Sequence, residues 1–190
     1  MIPHLSPNDM KMFYNYLDKT TVYFEYGSGG STYQASIRSN IQKIYSVESD
    51  IQWQDKLKRN INHDNMVYIY NEMGTQANNW GHPGKNSTNL QKINYSNHIK
   101  TLNEEEQNSI NLIFIDGRFR VACCLKCFDI INSDCLIAFD DFLNRKQYHI
   151  VLKYFDIVEQ TRDNRMVILK KKINVSVPQE LITQYELNVD

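Results

Sequence analysis

Short β-branched and aromatic runs recur along this chain between stretches of helical period, and that alternation predicts βαβ units around a parallel sheet. Residues 21 to 27, Thr-Val-Tyr-Phe-Glu-Tyr-Gly, read as a strand ended by a turn. Gly27-Ser28-Gly29-Gly30-Ser31-Thr32 follows, with glycines suited to positive φ or close backbone approach and with Ser31 or Thr32 as a cap for a helix through Ile37. Lys43 to Glu48 is a second strand, and Ile51, Trp53, Leu57 and Ile61 form an amphipathic stripe after it. Met66 to Met73 is a third strand.

Residues 74 to 109 break the rhythm. They are rich in Asn, Gly, Ser and Thr, with Trp80-Gly81-His82-Pro83-Gly84 near the start and a possible short helix from Tyr95 to Leu102. So long a polar segment in a compact domain predicts a functional loop, here an acceptor or lid insertion. Alternation returns with a strand over Asn111 to Gly117, a helix over Arg118 to Ile131, a strand over Asp134 to Asp141 and a helix near Arg145 to Phe155. Asp156 to Gln160 and Arg165 to Lys170 predict a terminal hairpin about the turn Thr161-Arg162-Asp163-Asn164.

A length of 190 residues, 42% of them hydrophobic, suits one domain spanning 1–190. The 21 Lys and Arg nearly balance the 22 Asp and Glu, so the basic excess that drives non-specific phosphate-backbone binding is missing and no nucleic-acid partner is expected. The N-terminus carries no leader-like pattern and no run reaches a membrane span, which predicts a cytoplasmic protein with no membrane partner. Cys123, Cys124, Cys127 and Cys135 lack the spacing of a disulfide framework and read as buried small hydrophobes rather than zinc ligands.

Several residues carry candidate chemistry. The glycine turn lacks the third glycine of a dinucleotide fingerprint, that position being Thr32, and no Gly-Lys-Ser/Thr of a P-loop follows. Glu48, with Ser49 beside it at the second strand's tip, is placed to accept hydrogen bonds from ribose hydroxyls, although a solvated strand-end carboxylate would look the same. Trp53 is either an adenine wall or core. Asp116 ends the fourth strand and Asp140-Asp141 the fifth, so three carboxylates converge at one sheet edge and repel unless a cation relieves them. Oxygen-only ligands suit Mg²⁺, with Mn²⁺ or Ca²⁺ as substitutes; alternatively Asp140-Asp141 caps a helix and Asp116 begins a turn.

The run Glu25 to Thr32 resembles the first cofactor motif of class I S-adenosylmethionine (SAM)-dependent methyltransferases, Glu48 matches their second-strand acid, and the hairpin matches their last two strands. The resemblance covers roughly residues 20–171. It implies an α/β, Rossmann-like, mostly parallel seven-stranded sheet with a C-terminal antiparallel hairpin and helices on both faces. It also implies SAM held by Glu25, Gly27, Ser28, Gly29, Ser31, Thr32, Glu48, Ser49 and Asp116. The acidic trio is similar to that of metal-dependent O-methyltransferases of the catechol and sugar types, which implies a divalent cation on Asp116, Asp140 and Asp141 holding two acceptor hydroxyls. Catechol-type enzymes have a lysine base three residues after the first Asp; here Phe119 stands there. That leaves Asp116, His149, Lys146 or His82 as base.

The run Asp116 to Lys126 also resembles small methyltransferase-like proteins associated with glycan genes. The implied activity is O-methylation of a sugar or glycan hydroxyl, with a catechol-like small molecule or a non-catalytic nucleotide-binding module as alternatives. Trp80 and His82 would contact the acceptor, as would Arg118 if the acceptor is anionic; Trp80 could equally anchor its loop, and Arg118 could be a solvated helix-start residue. A second copy of the chain is the expected protein partner.

Overall fold

The computed structural model describes residues 1–162 and 165–189. Its sheet comprises β1 (Val22–Tyr26), β2 (Lys43–Glu48), β3 (Met66–Tyr70), β4 (Leu112–Ile115), β5 (Leu136–Phe139), β6 (Phe155–Gln160) and β7 (Val167–Lys171), in the order β3-β2-β1-β4-β5-β7-β6. Pairing is parallel from β3 across to β5, whereas β7 runs antiparallel to both β5 and β6. The expected hairpin is therefore present, inserted so that β7 lies inside and β6 forms the edge. Of its turn, Asp163 and Asn164 lie outside the described residues.

Side chains alternate across β1, and each face finds its own core. Phe24 and Tyr26 join Ile113, Ile115 and Phe139 beneath α6 (Arg120–Cys127), while Tyr23 joins Ile44, Leu112 and Phe114 against α1 (Pro7–Leu17) and α2 (Gly30–Ser36). Helices thus cover both faces, as a parallel sheet requires. All four cysteines are buried free thiols, packed as small hydrophobes on the α6 side.

Several elements depart from the sequence expectation. Helix α1 was not anticipated; Ser6 caps it by accepting from the Asp9 amide, Asp9 returns the bond, and Pro7 opens its first turn. The polar stretch expected as a loop contains α4 (Asn89–Asn97), a 3-10 turn at His98–Thr101 and α5 (Glu104–Ser109). Its Thr and Asn residues act as caps, with Thr88–Gln91 and Asn103–Glu106 each forming a reciprocal pair. Helix α6 begins two residues late because Phe119 adopts a left-handed φ of 57° before it. Lys146–Lys153 is a 3-10 helix, and the tail forms α7 (Gln179–Tyr185). Between β2 and β3 lies α3 (Ile51–Asn60), as expected.

The register decides where the chemistry gathers. Tyr26 pairs with both Val47 and Ile115, and Ile115 pairs with Phe139, so Gly27, Glu48, Asp116 and Asp140 all leave the sheet at one edge. Strand order reverses between β1 and β4, which is where an open α/β sheet forms a ligand crevice. Among the described residues, no helix is long and apolar enough to cross a membrane.

Candidate active site

A cavity of about 770 Å³ occupies that crevice. One half is walled by the glycine turn, Glu48, Ser49, Asp50 and Trp53; the other by Asp116, Asp140 and Asp141 together with Arg118, Arg120, Arg145 and Arg165. Residues 78–82 and the N-terminal segment form its rim.

Two glycines let the β1 and β4 turns meet. Gly27 has φ +93°, and a Cβ there would lie 2.7 Å from the Gly117 amide nitrogen; a Cβ on Gly117 would overlap the Tyr95 hydroxyl. Gly30 serves another contact, because a Cβ on it would overlap the backbone at Ile2 and Pro3, which cross the start of α2.

Glu25 is fully buried and accepts from Tyr23, Ser31, Thr32 and Ser46 hydroxyls. Thr32 Oγ1 in turn accepts from the Gly29 amide at 2.8 Å. Neither Glu25 nor Thr32 lines the cavity; both brace the glycine turn from below. Burial pushes Glu25 up to about 7 despite its four donors.

Glu48 does line the cavity. Its Oε2 accepts from the Ser28 amide (3.1 Å) and its Oε1 from the Ser49 and Asp50 amides (2.6 and 2.8 Å). Burial raises its pKa to about 7 against those N–H bonds. Trp53 donates from Nε1 to the Ser28 carbonyl at 2.8 Å, and so is both a packing residue and a wall. Gly27, Ser28, Gly29, Ser31, Ser49 and Asp116 also face the cavity.

The rim is tied to the Glu48 wall. Asp50 caps α3 through Oδ1 and accepts from the Asn78 amide through Oδ2, while Ser49 Oγ donates to the Gly81 carbonyl at 3.3 Å. Asn78, Trp80 and Gly81 all have positive φ, a sharp reversal that leaves the Trp80 side chain at the mouth, 71% exposed, with its ring 5.6 Å from that of His4. His82 lies 3.4 Å from Arg118 Nη1; burial, followed by the charge of Arg118, lowers its pKa. Both line the cavity. His149 and Lys146 do not: His149 stacks on Phe142 and bonds its carbonyl at 3.1 Å, and Lys146 is exposed. Neither residue contributes to the crevice lining.

The acidic trio differs most from expectation. Arg120 Nη2 stands 3.0 Å from Asp116, Arg165 Nη2 stands 3.2 Å from Asp140 and 2.9 Å from Asp141, and Arg145 Nη2 stands 2.8 Å from Asp141. Guanidinium groups occupy the place assigned to the dication, and a divalent ion would have to displace them. Among the described residues no group of three or more His, Cys, Asp or Glu is arranged to hold a metal. The carboxylates therefore do not fit that ion, and no chemical step is derived through it. The four-residue spacings Asp116–Arg120 and Asp141–Arg145 were a weak signal only, since neither pair lies within a helix. Arg165 comes from the distant hairpin and had no such signal.

Strand order, the reversed seventh strand and the position of the crevice are those of the class I SAM-dependent methyltransferase fold. Among solved structures, the chain is similar to a methyltransferase-like protein from Silicibacter pomeroyi, with TM-score 0.84 and 21% identity over 99% of this chain and 97% of that one. It also resembles a caffeoyl-CoA O-methyltransferase-like protein from Staphylococcus aureus (TM-score 0.51, 15% identity, 90% and 86% coverage). A methyltransferase-like protein from Streptococcus mutans, solved with S-adenosylhomocysteine, gives TM-score 0.53 at 10% identity over 88% and 100% of the two chains. No protein-family model and no curated protein sequence matches the chain.

Proposed function

We propose that this protein is a SAM-dependent O-methyltransferase acting on a hydroxyl of a sugar or glycan. The observation that carries the reading is the shared wall of the crevice: the Gly27 turn and buried Glu48 on one side, Asp116 at the β4 tip on the other, around a volume suited to a small molecule. SAM bound there supplies a methyl group activated by a sulfonium.

Of the lining residues, Glu48 would accept from ribose hydroxyls and Trp53 would wall the adenine. The Gly27–Gly117 contact keeps side chains out of the path between the two halves. Asp116 is the carboxylate at the junction, so it is assigned to accept the acceptor's hydroxyl proton. Burial, partly offset by Arg120, raises its pKa above that of an ordinary aspartate, which makes it a stronger base. Trp80 provides an exposed ring at the mouth for the apolar face of a sugar. Orientation for in-line transfer is the main contribution asked of the protein.

A catechol-like acceptor would use the same crevice with a different fit to the rim, and a non-catalytic module would use only its cofactor half. A second copy of the chain remains the proposed protein partner, with no nucleic acid or membrane.

Calorimetric titration with SAM and with S-adenosylhomocysteine tests the reading. Micromolar binding, with methyl transfer to a hydroxylated acceptor, is expected; absence of both heat and thermal shift overturns it, and binding without transfer to any acceptor favours the module.

A further inference from the structure

We propose that the methyl acceptor is an anion, carrying a carboxylate or a phosphate monoester that is received by Arg145 and Arg165 on the acceptor side of the crevice. The inference rests on the methyltransferase reading only for naming the anion's carrier as the acceptor.

The acceptor half gathers four arginines beside three aspartates along a concave wall, with buried Asp9 a fourth carboxylate 3.8 Å from Arg165 Nε. Their environments differ in a way that separates scaffold from contact. Arg120 is nearly inaccessible, with 4% of its side chain exposed, and is spent on the Asp116 carboxylate and on the Gly117 and Asp140 carbonyls. Arg145 and Arg165 keep 34% and 29% of their side chains exposed and both line the cavity.

Asp141 explains how those two are aimed. Its backbone is left-handed, φ 58°, and its two oxygens hold Arg165 Nη2 at 2.9 Å and Arg145 Nη2 at 2.8 Å. One carboxylate thus fixes two guanidiniums from different elements, and planar guanidiniums held in this way are suited to bidentate recognition of oxyanions. Asp140 is 2% exposed and holds Arg165 from behind. The trio is a mount for arginines.

The test uses the full chain, with and without S-adenosylhomocysteine, titrated calorimetrically with glucose, glucose 6-phosphate, glucuronate and inorganic phosphate. At least one charged sugar should bind about tenfold more tightly than glucose, and Arg145→Gln should remove most of that preference while Arg145→Lys keeps part of it. Preference for glucose 6-phosphate or for glucuronate distinguishes the two oxyanions. Equal affinity for glucose and both charged sugars, or a preference unchanged in Arg145→Gln, overturns the proposal. Circular dichroism checks the fold, and Arg165→Gln, with the same expected loss, replaces Arg145→Gln if the latter does not fold. Failure of S-adenosylhomocysteine to bind would sink the methyltransferase reading alone, because the anion preference is read separately in the unloaded protein.

Discussion

Gly27 and Gly117 meet backbone to backbone, close enough that a Cβ on the first would sit 2.7 Å from the amide nitrogen of the second. The two turns they belong to carry the two halves of the crevice, so this contact joins the Glu48 side to the Asp116 side. Gly117→Ala should lower stability by about 1–3 kcal/mol through overpacking against the Tyr95 hydroxyl. Adding Tyr95→Phe should return part of that loss. Chemical denaturation of the single and double variants measures both effects, and an additive double variant would contradict the steric explanation.

The buried Glu25 hub predicts a pH signature. Its carboxyl titrates at about 7 in the folded protein and about 4.3 when unfolded. Folding therefore favours the protonated form; this stabilisation is complete below the unfolded value, declines as pH rises through about 7, and is lost above. Glu25→Gln removes the titration. Relative to that variant, the wild-type protein should lose stability between pH 5 and pH 8, and parallel stability profiles for the two would refute the assignment.

Glu48→Gln should weaken S-adenosylhomocysteine binding by roughly 1–2 kcal/mol, about tenfold or somewhat more, because one of two acceptor oxygens becomes a donor. Titration calorimetry reads this directly. An unchanged dissociation constant would remove Glu48 from the ribose contact.

Trp80 is exposed at the mouth and contributes little to the core. Trp80→Ala should leave the unfolding midpoint nearly unchanged, within about 0.5 kcal/mol. Acceptor KM should rise about fivefold or more with the cofactor constant unaffected. A large loss of stability would instead make Trp80 an anchor of its loop.

Lys126 lies almost wholly buried on α6, where its Nζ meets Glu186 at 2.6 Å, Ser96 Oγ at 2.8 Å and Asn97 Oδ1 at 2.7 Å. It ties α4 and the C-terminal segment to the body of the fold. Lys126→Ala strands the Glu186 carboxylate and should cost about 3–5 kcal/mol. Lys126→Met together with Glu186→Gln should cost less, which thermal unfolding can compare.

The strands, the glycine turn and the acids at the strand tips were legible in the sequence, because continuous β-branched and aromatic runs and turn chemistry are local and leave their mark residue by residue. Regions without such a stripe were harder: α4 and α5 hide in a polar stretch whose Thr and Asn residues look like loop until their capping geometry is seen. What the acidic trio holds is set by long-range pairing. Asp116, Asp140 and Asp141 read alone suggest a bound cation, but the hairpin returns Arg165 to Asp140 and Asp141 from more than twenty residues away. Charge compensation between distant strands depends on which edges pair, and that pairing is a property of the folded sheet rather than of any local run of residues.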